Sequence, residues 1–252
     1  MTAAGHGPVE IGVDPAAPRP PVGFRLDVPD GFTELDLDPA TSDAWVERFL
    51  DQRSAGVPGA AAQRGRARQV LQSLVSQHRQ AGVFLAAFLA AAGPRPGEMI
   101  GASLTLAWRE FRGGVLLEGL RQYFADEDPG PGEDATARSV DVVALPGGQA
   151  VRTRSRQRLP VPLTSHRQDT VIVQHLLPVP EPATDWLAVL TMSTPDIAGA
   201  DEFTALAGRV AASLEFLDAA GQPLPTADPM PRPPPSPGTI GFVPPAGDRP
   251  AD

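Results

Sequence analysis

Proline marks where this 252-residue chain can and cannot build a core. Five of the first 21 residues are Pro, and so are eleven of the 32 from Gly221 to Asp252, including the run Arg232-Pro233-Pro234-Pro235-Ser236-Pro237. Proline locks φ and has no N–H to give to a helix or a ladder. Stretches this rich in it, without apolar periodicity, predict extended tails at 1–21 and 221–252 that stay disordered. Ile240, Phe242 and Val243 form a small apolar cluster inside the second tail. The remainder, 22–220, is long enough for one well-buried core and reads as a single domain.

Within that domain the hydrophobic period switches repeatedly between two and 3.6. Phe24, Leu26 and Val28 alternate with polar residues, Pro29-Asp30-Gly31 turns, and 32–37 alternates again, predicting two short strands. Thr41, Ser42 and Asp43 are N-cap candidates for a helix near 43–53, and 60–80 predicts a second helix with Val70, Leu71, Leu74, Val75 and His78 on one face. From Arg53 to Gly97 there are six arginines and no acid, so that helix has a basic side. Strands follow at 83–92 and 99–111, joined by Gly93-Pro94-Arg95-Pro96-Gly97, then a helix carrying Leu116, Leu120, Tyr123 and Phe124. A meander comes next: Val140, Val142 and Ala144 alternate, Pro146-Gly147-Gly148 turns, 151–159 returns, and two β-prone runs occupy 170–177 and 186–194. After Asp201, a candidate cap, Phe203, Leu206, Ala207, Val210, Leu214 and Leu217 trace one helical face. Strands grouped apart from helices predict an α+β fold, an antiparallel β-sheet flanked by helices.

Three stretches carry a resemblance: FRLDVPDGFTELDL, VVALPGGQAVRTR, and WLAVLTMSTPDIAGADEFTALAGRVAASLEF. They resemble the PsbP/LpqN-like family of small sheet-and-helix domains, which includes the yeast Ran-binding nuclear-import factor. The resemblance covers about a quarter of the chain and implies a PsbP-like α/β/α sandwich that acts by binding other proteins, with no shared active site to carry over.

Composition excludes more chemistry than it suggests. There is no Cys, which removes thiol nucleophiles, thiolate zinc sites and disulfides, and all 21 basic residues are Arg. Without Lys there is no Walker-type phosphate loop, Schiff base or lysine general base. His6, His78, His166 and His175 are too scattered to predict a metal site. Ser165, His166 and Asp169 are the nearest approach to a nucleophile cluster, yet adjacent residues point apart in an extended chain and no G-x-S-x-G turn occurs. The acidic loop from Asp126 to Asp134 offers five carboxylates but misses the D-x-D-x-D-G calcium pattern. No secretory signal or apolar run of membrane-spanning length is present, so the expected location is cytoplasmic.

The candidate site is a cationic comb. Arg152, Arg154, Arg156 and Arg158 occupy every second position of VRTRSRQRL, so on a strand all four guanidinium groups stand on one face, about 7 Å apart. The chain as a whole carries a formal charge of −9. Four unneutralised arginines fit an unknown protein partner with an acidic surface, or an anionic ligand. Nucleic acid is disfavoured by the net charge and by the lack of interleaved aromatics. The competing expectations are that the comb keeps a strand face soluble, or that the acidic loop pairs with it within the chain. The expectation is therefore a non-catalytic protein-binding domain, an adaptor or assembly factor, with no cofactor. The alternatives are an anionic-ligand or nucleic-acid binder and, last, an unrecognised hydrolase.

Overall fold

The computed structural model describes residues 11–12, 22–54, 60–92, 99–111, 117–128, 132–161, 165–180, 185–225 and 239–242. Its elements are β1 (Ile11–Gly12), β2 (Gly23–Asp27), β3 (Thr33–Glu34), α1 (Ser42–Ser54), α2 (Ala60–Gln80), β4 (Val83–Ala92), β5 (Met99–Phe111) and α3 (Leu117–Asp126). There follow a 3-10 turn (Ala135–Ala137), β6 (Ser139–Leu145), β7 (Gly148–Pro160), β8 (Arg167–Pro178), β9 (Trp186–Thr194), α4 (Ala200–Ser213), β10 (Glu215–Leu217) and β11 (Thr239–Phe242). The fold is α+β, with an antiparallel sheet flanked by helices.

Seven strands lie in the order β3-β4-β5-β9-β8-β7-β6, with β1 added along β5. The β6–β9 meander is thus sewn onto the β4–β5 hairpin by the β5–β9 pairing, Ser103 opposite Ser193 through Glu110 opposite Trp186. Cross-strand partners share a face, so the register assigns every side chain. One face carries Leu85 and Ala87 of β4, Leu104 and Leu106 of β5, Leu190 and Met192 of β9, and Val171 and Val173 of β8, all buried in one cluster with α4 and β2. Each such leucine, fully withdrawn from water, contributes about 1.5 to 3 kcal/mol. A bulge between Val83 and Leu85 turns Phe84 toward this face too, where it stacks on Trp108 at 4.8 Å and meets Phe24 edge-on at 5.0 Å.

Among the described residues, the opposite face is covered at its two flanks. Leu35, Val75 and Ala86, with Trp45, Leu74 and Phe88, pack α1 and α2 onto the β4 side, and Leu120 seats α3 on Val151, Leu176 and Leu187. Arg64 and Arg68 of α2 bind Glu47 and Asp51 of α1, so part of the basic side of α2 is used to clamp the two helices together.

Several expectations need correction. The two opening strands, whose partners the alternation did not assign, lie in different sheets: β2 joins β10 and β11, while β3 pairs with β4. Asp201 is not the cap of α4. The N-cap is Gly199, which has no side chain to cap with, and its N–H donates to Asp196 Oδ1 at 3.2 Å. Leu214 and Leu217 of the traced stripe lie beyond the helix, which ends at Ser213. The segment 221–252 is not wholly outside the domain. Leu224 donates its N–H to the Phe216 carbonyl at 2.9 Å and packs on the main core, and β11 pairs with β2 over four residues, Thr239–Phe242. Pro223 and Pro225 did not prevent this, because a strand's outer side has no partner awaiting a proline N–H. Likewise Ile11–Gly12, from the first predicted tail, pairs with β5; the other residues of 1–21 lie outside the described residues.

Candidate functional site

The comb forms as the alternation predicts, but the tertiary structure places it on the buried-core face of the sheet, just beyond the rim of α4. Arg152 stands opposite His175, Arg154 opposite Val173, Arg156 opposite Val171 and Arg158 opposite Asp169. The expectation of four unneutralised cations is wrong. Arg152 binds Asp141 of β6 at 3.2 Å, Arg154 binds Asp201 in the first turn of α4 at 2.8 Å, and Arg156 binds Asp169 of β8 at 2.7 Å. The Asp169 hydrogen bond, with Asp134 nearby, raises the Arg156 pKa above its usual value. Arg158 is exposed and makes no ion pair among the described residues. Asp141 and Asp169 each come from a neighbouring strand, at separations that no local sequence pattern displays.

The acidic loop meets the comb strand through backbone as much as through charge. Beyond the end of β6, the Arg158 N–H donates to the Gly132 carbonyl and the Asp134 N–H to the Arg156 carbonyl, both at 2.8 Å, so the loop continues the edge of β7. Its carboxylates disperse: Glu127 and Glu133 flank Arg138 at 3.3 and 3.8 Å, while Asp134 accepts from the Thr136 hydroxyl and N–H. Those Thr136 bonds hold the Asp134 carboxyl below its usual range.

The remaining candidates do not assemble. Ser165 and His166 are exposed, and Asp169 is engaged by Arg156. His78 is partly buried on α2, and that burial lowers its pKa. His175 is 2% exposed inside the sheet, its pKa lowered to about 4 by burial and by neighbouring Arg152. His6 lies outside the described residues. Among the described residues, no three His, Asp or Glu gather as a metal site would require. A cleft of about 90 Å³ between α1 and α2, lined by Ser42, Asp43, Gln72 and Arg79, is well below the roughly 300 Å³ of a small-molecule pocket.

A feature that the sequence analysis missed lies on the other face, between the flanking helices. Two rows of side chains, all polar but Ile172, cross four strands in register. One row is Thr105, Thr191, Gln174 and Thr153; the next is Ser103, Ser193, Ile172 and Ser155. Apart from the buried Thr153, all are partly exposed, because α2 packs on β4 while α3 packs on β6 and β7. The rows are linked internally. Thr153 donates to Gln174 Oε1 at 3.3 Å, Gln174 donates to Thr191 Oγ1 at 3.2 Å, and the Ser103 and Ser193 hydroxyls are 2.7 Å apart. At strand spacing the floor spans about 14 Å and carries no formal charge. The signal was present as Ser-Leu-Thr-Leu in β5 and Thr-Met-Ser in β9, where hydroxyls alternate with core residues.

Comparison with protein-family models, curated proteins and solved structures returns no match. No helix among the described residues is long and apolar enough to cross a membrane. The functional reading therefore rests on the chemistry of these two faces.

Proposed function

We propose that this chain is a non-catalytic protein-binding domain of the PsbP/LpqN-like kind, acting in the cytoplasm as an adaptor or assembly factor, with its partner seated on the polar floor between α2 and α3. One observation carries the reading: four adjacent strands present hydroxyl and amide groups that no described helix covers, hydrogen-bonded to one another across the sheet. Catalysis needs polar groups that converge on a point, whereas this floor offers distributed donors and acceptors of the size a protein surface matches. The comb takes a lesser part. An acidic partner would have to displace carboxylates already in place, although exposed pairs worth about 0 to 1 kcal/mol can be exchanged.

The two faces can be tested separately, since they lie on opposite sides of the sheet. Thr191→Arg with Ser193→Arg fills the floor with bulky cations. Replacing Arg152, Arg154, Arg156 and Arg158 by Gln strips the comb. Co-purification from the native host followed by titration of the recovered partner should show binding lost at least tenfold in the floor variant and changed by less than about threefold in the comb variant. The reverse result would move recognition to the arginine face. Binding by both variants at wild-type strength would remove both faces from consideration.

A further inference from the structure

The two edges of the large sheet are finished differently. At one end β3 pairs with only Ala87 and Phe88 of the ten-residue β4, Leu35 adds its N–H to the Ala86 carbonyl, and α1 and α2 pack over the same flank. At the other end β6 runs for seven residues, Ser139–Leu145, paired to β7 without a register shift, and no described strand pairs with its outer side. α3 packs over the face that carries Val140, but the strand itself has few of the usual protections of an edge. There is no proline and no bulge, and its single charge, Asp141, is tied to Arg152 on one face. Ser139, Asp141, Val142 and Ala144 are exposed, and Val142, at 40%, is the exposed large hydrophobic residue among those described.

The β6–β7 connection sets which backbone groups point outward. Pro146-Gly147 is a two-residue turn, which makes Leu145 and Gly148 a hydrogen-bonded pair, and bonding then alternates along the ladder. The odd positions bond to β7. Val140, Val142 and Ala144 therefore direct their N–H and C=O groups to the open side.

We propose that β6 is the self-association edge of this protein, pairing antiparallel with β6 of a second copy about a two-fold axis through Val142. That register sets Val142 against its own symmetry mate, Val140 against Ala144, and Asp141 against Val143. It forms about six backbone hydrogen bonds, stacks β-branched and small apolar side chains on one another, and brings no carboxylate opposite another carboxylate. A second copy fits better than a foreign strand because the strand is complementary to itself about that axis. Pairing also closes on itself: an isologous contact about a two-fold axis consumes this edge in both molecules, so it cannot propagate through β6. The axis is perpendicular to the sheet, so both polar floors would face the same side. With only seven residues per copy in the seam, the dimer is weak and concentration-dependent.

The chain has no cysteine, so one introduced thiol reports position without background. In the proposed register two copies of residue 142 form a hydrogen-bonded pair with Cα atoms about 5.5 Å apart, within the range a disulfide spans. Val142→Cys in the full chain should cross-link to a dimer under mild oxidation, while Ala144→Cys, whose symmetry mate lies four residues away along the strand, should not. Sedimentation velocity of wild type should show a shift from monomer toward dimer at tens of micromolar protein, and Val142→Lys should stay monomeric with an unchanged unfolding midpoint. A wild-type monomer at the highest concentration reached, or a dimer unaffected by Val142→Lys, would overturn the proposal. Cross-linking of Ala144→Cys but not Val142→Cys would overturn the register, and with it the two-fold through Val142.

Discussion

His175 shows how a residue that could have been a ligand becomes a stability determinant. Period two on β8 puts it on the same face as Val173 and Leu177, where it is buried opposite Arg152. Withdrawal from water and the neighbouring guanidinium both disfavour the imidazolium, which lowers its pKa to about 4. The unfolded chain takes up this proton near pH 6.5 and the folded chain does not, so stability is full above 6.5 and falls as pH drops toward 4. The loss should reach roughly 3 kcal/mol, from a shift of about 2.5 units. Urea unfolding at pH 7.0, 5.5 and 4.5 should show wild type losing stability relative to His175→Gln across that window; parallel curves would mean that the imidazole is solvated in the folded state. Burial, which decides this, is set by tertiary packing and is not written in the local sequence. At the β6–β7 turn, a Cβ on Gly147 would lie 2.9 Å from the Leu214 carbonyl, a constraint that comes from a segment far along the chain.

Among the elements, α4 and β7 divide along the same line. The apolar face of α4 was legible from its 3.6-residue period, since Phe203, Ala207 and Val210 are buried on the core. Its end was not, because Leu214 continues the pattern while its backbone has turned to the extended region, φ −66° and ψ 125°. Leu214 is wholly buried at this corner and Leu206 only partly. Leu214→Ala should therefore cost about 2 to 5 kcal/mol, and Leu206→Ala markedly less, as chemical denaturation of the two variants would show. Equal losses would mean that the helix sits deeper on the sheet. For β7, alternation placed four arginines on one face, and that held. Which face, and with which carboxylates, depended on the register of β6 and β8 and on where α4 begins. Those pairings join Arg152 to Asp141, Arg154 to Asp201 and Arg156 to Asp169.

For the whole molecule, the domain boundary is where sequence reading and structure differ most. Proline content placed the end near 220, yet the chain turns at Asp218–Gly221, returns through Leu224 and contributes β11 to the small sheet. A chain ending at 220 should be less stable than the full chain by about 1 to 3 kcal/mol, roughly 2 to 10 °C in Tm, and one ending at 225 should fall between them. Identical melting of all three would restore the shorter domain. By itself the sequence determined the α+β class, the helices, the strands of the meander and the absence of thiol and amine chemistry, because period, turn residues and composition are local properties. Only the tertiary structure decided that β2 and β3 lie in different sheets, that the comb is largely neutralised, and that, among the described residues, a polar floor stays uncovered and β6 ends the sheet. Each of these depends on which surfaces meet across long sequence separations, and nothing in a local pattern records that.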